Sequence, residues 1–95
     1  MIYSEFVKIA SRSYTYLKVE MGTAPLVLLK GEKGFVMCGY LNLEAAEKLN
    51  DIAVRVTGVK DLESLLNAKV AGLTSGAKAL GIKEGDKVSN IIYQL

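Results

Sequence analysis

The stretch Gly34-Phe35-Val36-Met37-Cys38-Gly39-Tyr40-Leu41-Asn42-Leu43 limits the fold more than any other part of the chain. Its apolar run from Phe35 to Cys38 reads as a buried strand, and Gly39 permits a tight turn. Asn42 is a good helix N-cap ahead of Leu43. A strand that hands over to a helix so quickly makes a corner around which the rest of the chain has to be arranged. Cys38 stands at that corner, where main-chain amides and a helix N-terminus favour a thiolate.

The residues before the corner have strand character. Tyr14, Tyr16, Lys18 and Glu20 alternate with Thr15, Leu17, Val19 and Met21, as in a strand with one face on a core. Its partner is Ile2 to Ile9, through a turn near Ser11-Arg12-Ser13. Gly22-Thr23-Ala24-Pro25 breaks the chain. Leu26 to Leu29 is a continuous apolar run, expected of a strand covered on both faces. The polar turn Gly31-Glu32-Lys33-Gly34 joins it to Phe35–Cys38 as a hairpin, and these two runs form the centre of the sheet.

The residues after the corner turn helical. Leu43, Ala46 and Leu49 are spaced for one buried stripe behind the Asn42 cap. Ile52 to Thr57 reads as a further strand, ending at Gly58. Asp61 caps a short helix with Leu62, Leu65 and Leu66 inward. Val70, Leu73, Ala77 and Leu80 mark another helix with Gly81 after its end, and Val88, Ile91, Ile92 and Leu95 mark a last one. The expected architecture is α+β: a mostly antiparallel N-terminal sheet of hairpins covered by three to four short helices from the C-terminal half.

Length and composition set the outer bounds. The 95 residues, 51% of them apolar, make a single domain spanning 1–95. A chain of this size buries roughly 60–70% of the surface that it exposes when unfolded. One cysteine rules out an intrachain disulfide and fits a reducing compartment. No apolar run is long enough to span a membrane, and Met1-Ile2-Tyr3-Ser4-Glu5-Phe6 carries no signal-peptide pattern, so a cytoplasmic location is expected. Twelve basic and ten acidic residues are interspersed, for a net charge of +2, without the basic stripe that nucleic acid requires. With no histidine and a single cysteine, no zinc site is available within the chain, and neither a metal nor a cofactor is expected.

A few residues carry chemistry. Cys38 is a candidate nucleophile or redox thiol, supported by the amides of Gly39 and Tyr40, with Gly39 letting a substrate come close to the backbone. With no histidine, its base would be a lysine, a carboxylate, a tyrosine or water. The opposing account is a small buried residue filling a tight corner. Tyr40 can donate to a ligand or to an oxyanion beside Cys38, or simply sit amphipathically at a rim. Arg55 interrupts an apolar strand. Near Cys38 it could grip a carboxylate or phosphate in two-point fashion, whereas alternation alone places Ala53, Arg55 and Thr57 on a wet face. Asn42 and Gly58 complete the candidate ligand-binding set. Glu44, Glu47 and Asp51 share a helix stripe that suits either a hard cation or water, with Glu44 four residues before Lys48. Gly76 to Lys83 imitates a phosphate loop but has Ile82 where lysine is needed.

Gly34-Phe35-Val36-Met37-Cys38-Gly39-Tyr40-Leu41 resembles the signature of the YunC-like family, small prokaryotic proteins classed as a domain of unknown function. The likeness continues through Ala24-Pro25-Leu26, Val56-Thr57-Gly58-Val59-Lys60, Asp61-Leu62-Glu63-Ser64-Leu65-Leu66 and Ala79-Leu80-Gly81-Ile82, and so covers most of the chain from about Gly22 onward. The resemblance implies a compact α+β fold and supplies no reaction. Two functional expectations follow from the residues. One is a binding or assembly module that self-associates into a homo-oligomer, because tyrosines 3, 14 and 16 lie on strands that cannot all be central. The other is a small enzyme or redox protein that uses Cys38 on an anionic small molecule bound beside it.

Overall fold

Two left-handed residues set the register of the first half of the sheet. A computed structural model describes every residue from Met1 to Leu95. Strand β1 (Ile2–Ile9) pairs antiparallel with β2 (Arg12–Val19) through Ala10 and Ser11, whose φ angles are 52° and 68°. The turn is therefore tighter than the expected Ser11–Ser13, and Arg12 and Ser13 already pair with Ile9 and Lys8. Consecutive positive φ angles match the twist of the flanking strands, which is why two-residue hairpins use them.

The sheet then builds outward in chain order. β2 pairs antiparallel with β3 (Leu26–Lys30), and β3 with β4 (Gly34–Met37). Helix α1 (Leu43–Lys48) crosses over and returns the chain as β5 (Ile52–Arg55), parallel to β4. β6 (Gly72–Leu73) pairs antiparallel with β5 and completes a six-stranded sheet of order β1-β2-β3-β4-β5-β6. Only the β4–β5 step is parallel, and it is close: a β-carbon on Gly34 would run into the Ile52 carbonyl oxygen. Helices α2 (Leu62–Asn67), α3 (Ser75–Ala79) and α4 (Val88–Ile91) follow, with a 3-10 turn at Ile92–Gln94. The fold is α+β, with β3 and β4 in the middle of the sheet.

Alternation sorts the sheet into two unequal faces. Tyr14, Tyr16, Val27, Leu29, Val36, Cys38, Val54 and Val56 enter the main core, where Leu65, Ile82, Val88, Ile92 and Leu95 from the second half cover them. The Tyr14 hydroxyl donates to the Ile92 carbonyl at 2.9 Å and ties β2 to that layer. The other face has a smaller cluster of Met37, Ala46 and Ala53, with Leu28, Phe35, Leu41 and Leu43 around it. Ala46 belongs to α1, the helix that covers this side.

Three expected boundaries move. Residues 70–80 are not one helix, because β6 takes Gly72–Leu73 and α3 begins after Thr74. The buried Thr74 hydroxyl accepts the Ala53 N–H at 3.1 Å and donates to the Asp51 carbonyl at 2.8 Å. A threonine bonded in this way caps a helix rather than sitting inside one. Val70 and Ala77 are buried as expected, on either side of that break. Helix α1 stops at Lys48, leaving Leu49 72% exposed instead of on the buried stripe. β5 stops at Arg55 rather than Thr57, although the Val56 N–H still donates to the Met37 carbonyl at 2.9 Å.

Replacing Ala10 and Ser11 together (Ala10→Asn with Ser11→Gly) is expected to raise the unfolding free energy by roughly 1–2 kcal/mol, since asparagine tolerates and glycine freely adopts the left-handed φ that alanine and serine resist. Urea unfolding reads the change as a higher midpoint at constant slope. An unchanged midpoint would contradict this account of the turn.

Candidate functional site

Strand β4 leaves the sheet at Cys38. The β3–β4 register places Leu28 opposite Met37, so Val27 falls opposite Cys38. A ladder would give the Val27 N–H to the Cys38 carbonyl, but it goes to the Cys38 Sγ at 3.4 Å. The carbonyl has turned away to accept the Leu41 N–H at 3.2 Å. The thiol thus stands in for its own carbonyl at the last rung, on a side chain only 4% exposed. Cysteine suits the position because it is small, tolerates burial and accepts a weak hydrogen bond.

Past that rung the carboxyl ends of the parallel strands β4 and β5 open into a cleft of about 380 Å³. Cys38, Gly39 and Tyr40 form one wall, Thr57, Gly58, Val59 and Lys60 another, and Thr23, Ala24 and Pro25 ahead of β3 a third. The carboxyl ends of parallel strands are where open sheets receive their ligands. Gly58 has φ of +70°, a conformation that other residues enter at a cost. The Tyr40 hydroxyl donates to the Ala24 carbonyl at 3.0 Å, so it braces two walls and its proton is engaged.

The cap of α2 holds the 57–61 loop. The Lys60 and Asp61 N–H groups donate to the Ser64 hydroxyl oxygen at 2.9 and 3.1 Å, and Asp61 Oδ1 accepts the Ser64 N–H at 2.8 Å. Hydrogen bonds from the Ser64 main chain and then its hydroxyl hold the Asp61 carboxyl below the ordinary carboxylate range. Its charge is therefore engaged at the helix cap.

The candidate residues divide between two places. Cys38, Gly39, Tyr40 and Gly58 meet in the cleft. Arg55 does not join them, because its register partner is Met37, and Cys38 points to the opposite face of the sheet. Arg55 and Asn42 line a separate hollow of about 530 Å³ together with Glu44 and Glu47. There the buried Arg55 Nε has no hydrogen-bond partner, while Asn42 Oδ1 caps α1 by accepting the Glu44 and Ala45 N–H groups at 2.8 and 3.2 Å. Glu47 Oε1 accepts both the N–H and the hydroxyl of Ser75 at 2.9 Å, so this member of the acidic stripe caps α3. No group of three histidine, cysteine or acidic residues is placed to hold a metal.

Sequence reasoning does not single out Thr23, Thr57 or Lys60. The apolar strand ahead of Thr57-Gly58-Val59-Lys60 marks a loop. That the loop faces Cys38 follows only from the parallel pairing of β4 and β5.

A family model described as "Domain of unknown function (DUF1805)" matches residues 37–95. The "Uncharacterized protein YunC" of Bacillus subtilis (strain 168) is 30% identical over 83 residues, covering 83% of this chain and 82% of that protein. The crystal structure of the protein of unknown function TA1206 from Thermoplasma acidophilum is 44% identical with a TM-score of 0.97, over 100% of this chain and 93% of the other. Their descriptions name no activity.

Cys38→Ala is expected to cost about 1–3 kcal/mol, the range for a buried donor left without an acceptor, because Val27 is wholly buried. Cys38→Ser, which keeps an acceptor, is expected to recover part of that loss. Chemical unfolding of both variants checks the order; equal stability of Cys38→Ala and the native protein would refute the role assigned to the thiol.

Proposed function

The chain belongs to the DUF1805 family and is YunC-like, and from that premise we propose that it is a small binding or assembly module that works as a homo-oligomer. The observation that supports this is the bare half of the sheet's second face. Helix α1 packs over the β4–β5 end, so β1 and β2 have no helix on that side. Phe6 and Ile2 are 85% and 74% exposed there. The register sets Ile2 against Val19, Ser4 against Leu17 and Leu17 against Leu28, so a half-buried apolar strip continues inward from them. β1 is also an edge strand, with alternate main-chain groups unpaired.

A second copy is the occupant that these features fit. Two apolar sheet faces pack about 10 Å apart, and a two-fold axis presents the same patch on both sides. No helix of the chain is long and apolar enough to cross a membrane, and the lone free thiol fits a reducing cytoplasm. Sedimentation velocity is expected to find a dimer or larger species that Phe6→Glu converts to monomer. Phe6 is so exposed within one chain that the substitution is expected to leave a folded monomer, read by an unchanged circular dichroism spectrum, and to lose only the stability that association adds. A native protein that stays monomeric at high concentration would end this reading.

A second reading, thiol chemistry at Cys38 on an anionic small molecule, is favoured by the presence of Cys38 in the cleft wall. Burial and the bond from Val27 work against it. Iodoacetamide should therefore alkylate Cys38 far more slowly in the native protein than in urea. Equal rates in the two states would displace the packing role and bring thiol chemistry forward.

A further inference from the structure

The cleft between the ends of β4 and β5 has an electrostatic character of its own, independent of oligomerisation and of thiol reactivity. No acidic side chain lines it, and Lys60 supplies a single positive charge. The backbone N–H groups of Gly39, Tyr40, Thr57 and Gly58 donate to no other main-chain group. These residues, two following β4 and two following β5, line the cleft together with Lys60, with their amides free of main-chain acceptors. Main-chain amides arranged in a concavity bind anions.

Gly39 adds a second, separate argument. Its φ is not left-handed, and a β-carbon there would meet nothing within 4 Å. Neither backbone conformation nor packing requires glycine at this position. The bare backbone leaves the floor of the cleft open for an atom to approach closely. By contrast, the Arg55 hollow also contains Glu44 and Glu47, whose carboxylates oppose an anion.

We propose that this cleft is a binding site for a small organic anion. Its oxyanion group rests on the amides of Gly39, Tyr40 and Gly58 and beside the Lys60 ammonium. Its apolar part lies along Pro25 and Val59. A volume of about 380 Å³ admits a metabolite-sized molecule and lies in the range of small-ligand pockets. Carboxylates and phosphates share this oxyanion chemistry and are separated by experiment.

The test is a titration of the 15N-labelled full chain, followed by amide chemical shifts, with inorganic phosphate in one arm and propionate in the other. Chloride at matched ionic strength is the control. Saturable shifts are expected at Gly39, Tyr40, Gly58 and Lys60, and the tighter arm identifies the class of anion. Lys60→Gln keeps the main-chain bond to Ser64 and is expected to weaken binding about tenfold, the scale of one charge-assisted hydrogen bond. Gly39→Ala is expected to weaken binding while leaving the melting temperature unchanged, which a purely structural glycine would not do. The proposal is overturned if neither probe saturates, if the shifts track ionic strength in all arms, if they centre on the Arg55 side chain, or if both variants bind as the native protein does.

Discussion

The chain has enough helix to cover one face of its sheet and only part of the other. That shortage organises the molecule. The main core takes α2, α3, α4 and the 3-10 turn, whose apolar residues close over Val27, Leu29, Val36 and Val54. Only α1, six residues long, remains for the opposite side, and it reaches the β4–β5 end. Burial of apolar area is the dominant favourable term in folding, so an uncovered apolar strip is an unusual expense unless something else covers it. Phe6 and Ile2 lie at the far end of that strip, on the strand with no neighbour beyond it.

The same economy produces the cleft. An antiparallel meander alone would join successive strands by tight turns and leave little room at their ends. The α1 crossover makes β4 and β5 parallel, so both carboxyl ends finish at the same edge of the sheet. Their following loops then face each other instead of closing a hairpin. Cys38 marks the departure point, where a side-chain sulfur completes the hydrogen bond that its own carbonyl has given up. A buried N–H without that sulfur would be costly, which ties the thiol to the fold before any chemistry is considered.

Much of this was legible in the residues. The antiparallel pairing, the central place of Leu26–Leu29 and Phe35–Cys38, and the caps at Asn42 and Asp61 all follow from local pattern, and the structure has them. The failures have a common cause. The spacing of Val70, Leu73 and Ala77 suits a helix, but Thr74 bonds to Asp51 and Ala53, residues distant in sequence, and those partners divide the segment. Of the two readings of Arg55, a place beside Cys38 or a wet strand face, the first is excluded for a related reason. Strand register decides which face a side chain takes, and a shift of one residue reverses it. Met37, not Cys38, lies opposite Arg55.

The bare strip and the cleft therefore derive from one element and can still act separately. The strip belongs to β1 and β2 and depends on α1 being short; the cleft belongs to the ends of β4 and β5 and depends on α1 being a crossover. Pro25, in the cleft wall, immediately precedes β3, whose Leu28 lies on the strip side. The segment that leads into β3 thus borders the cleft, while β3 itself carries part of the strip. A partner that shifted β3 along β4 would move the Val27 amide away from the Cys38 sulfur. The Val27–Cys38 N–H···S bond, the β3–β4 ladder and the Tyr40–Ala24 bond together tie the segment entering β3 to the Cys38 corner, so the two places share a continuous set of contacts.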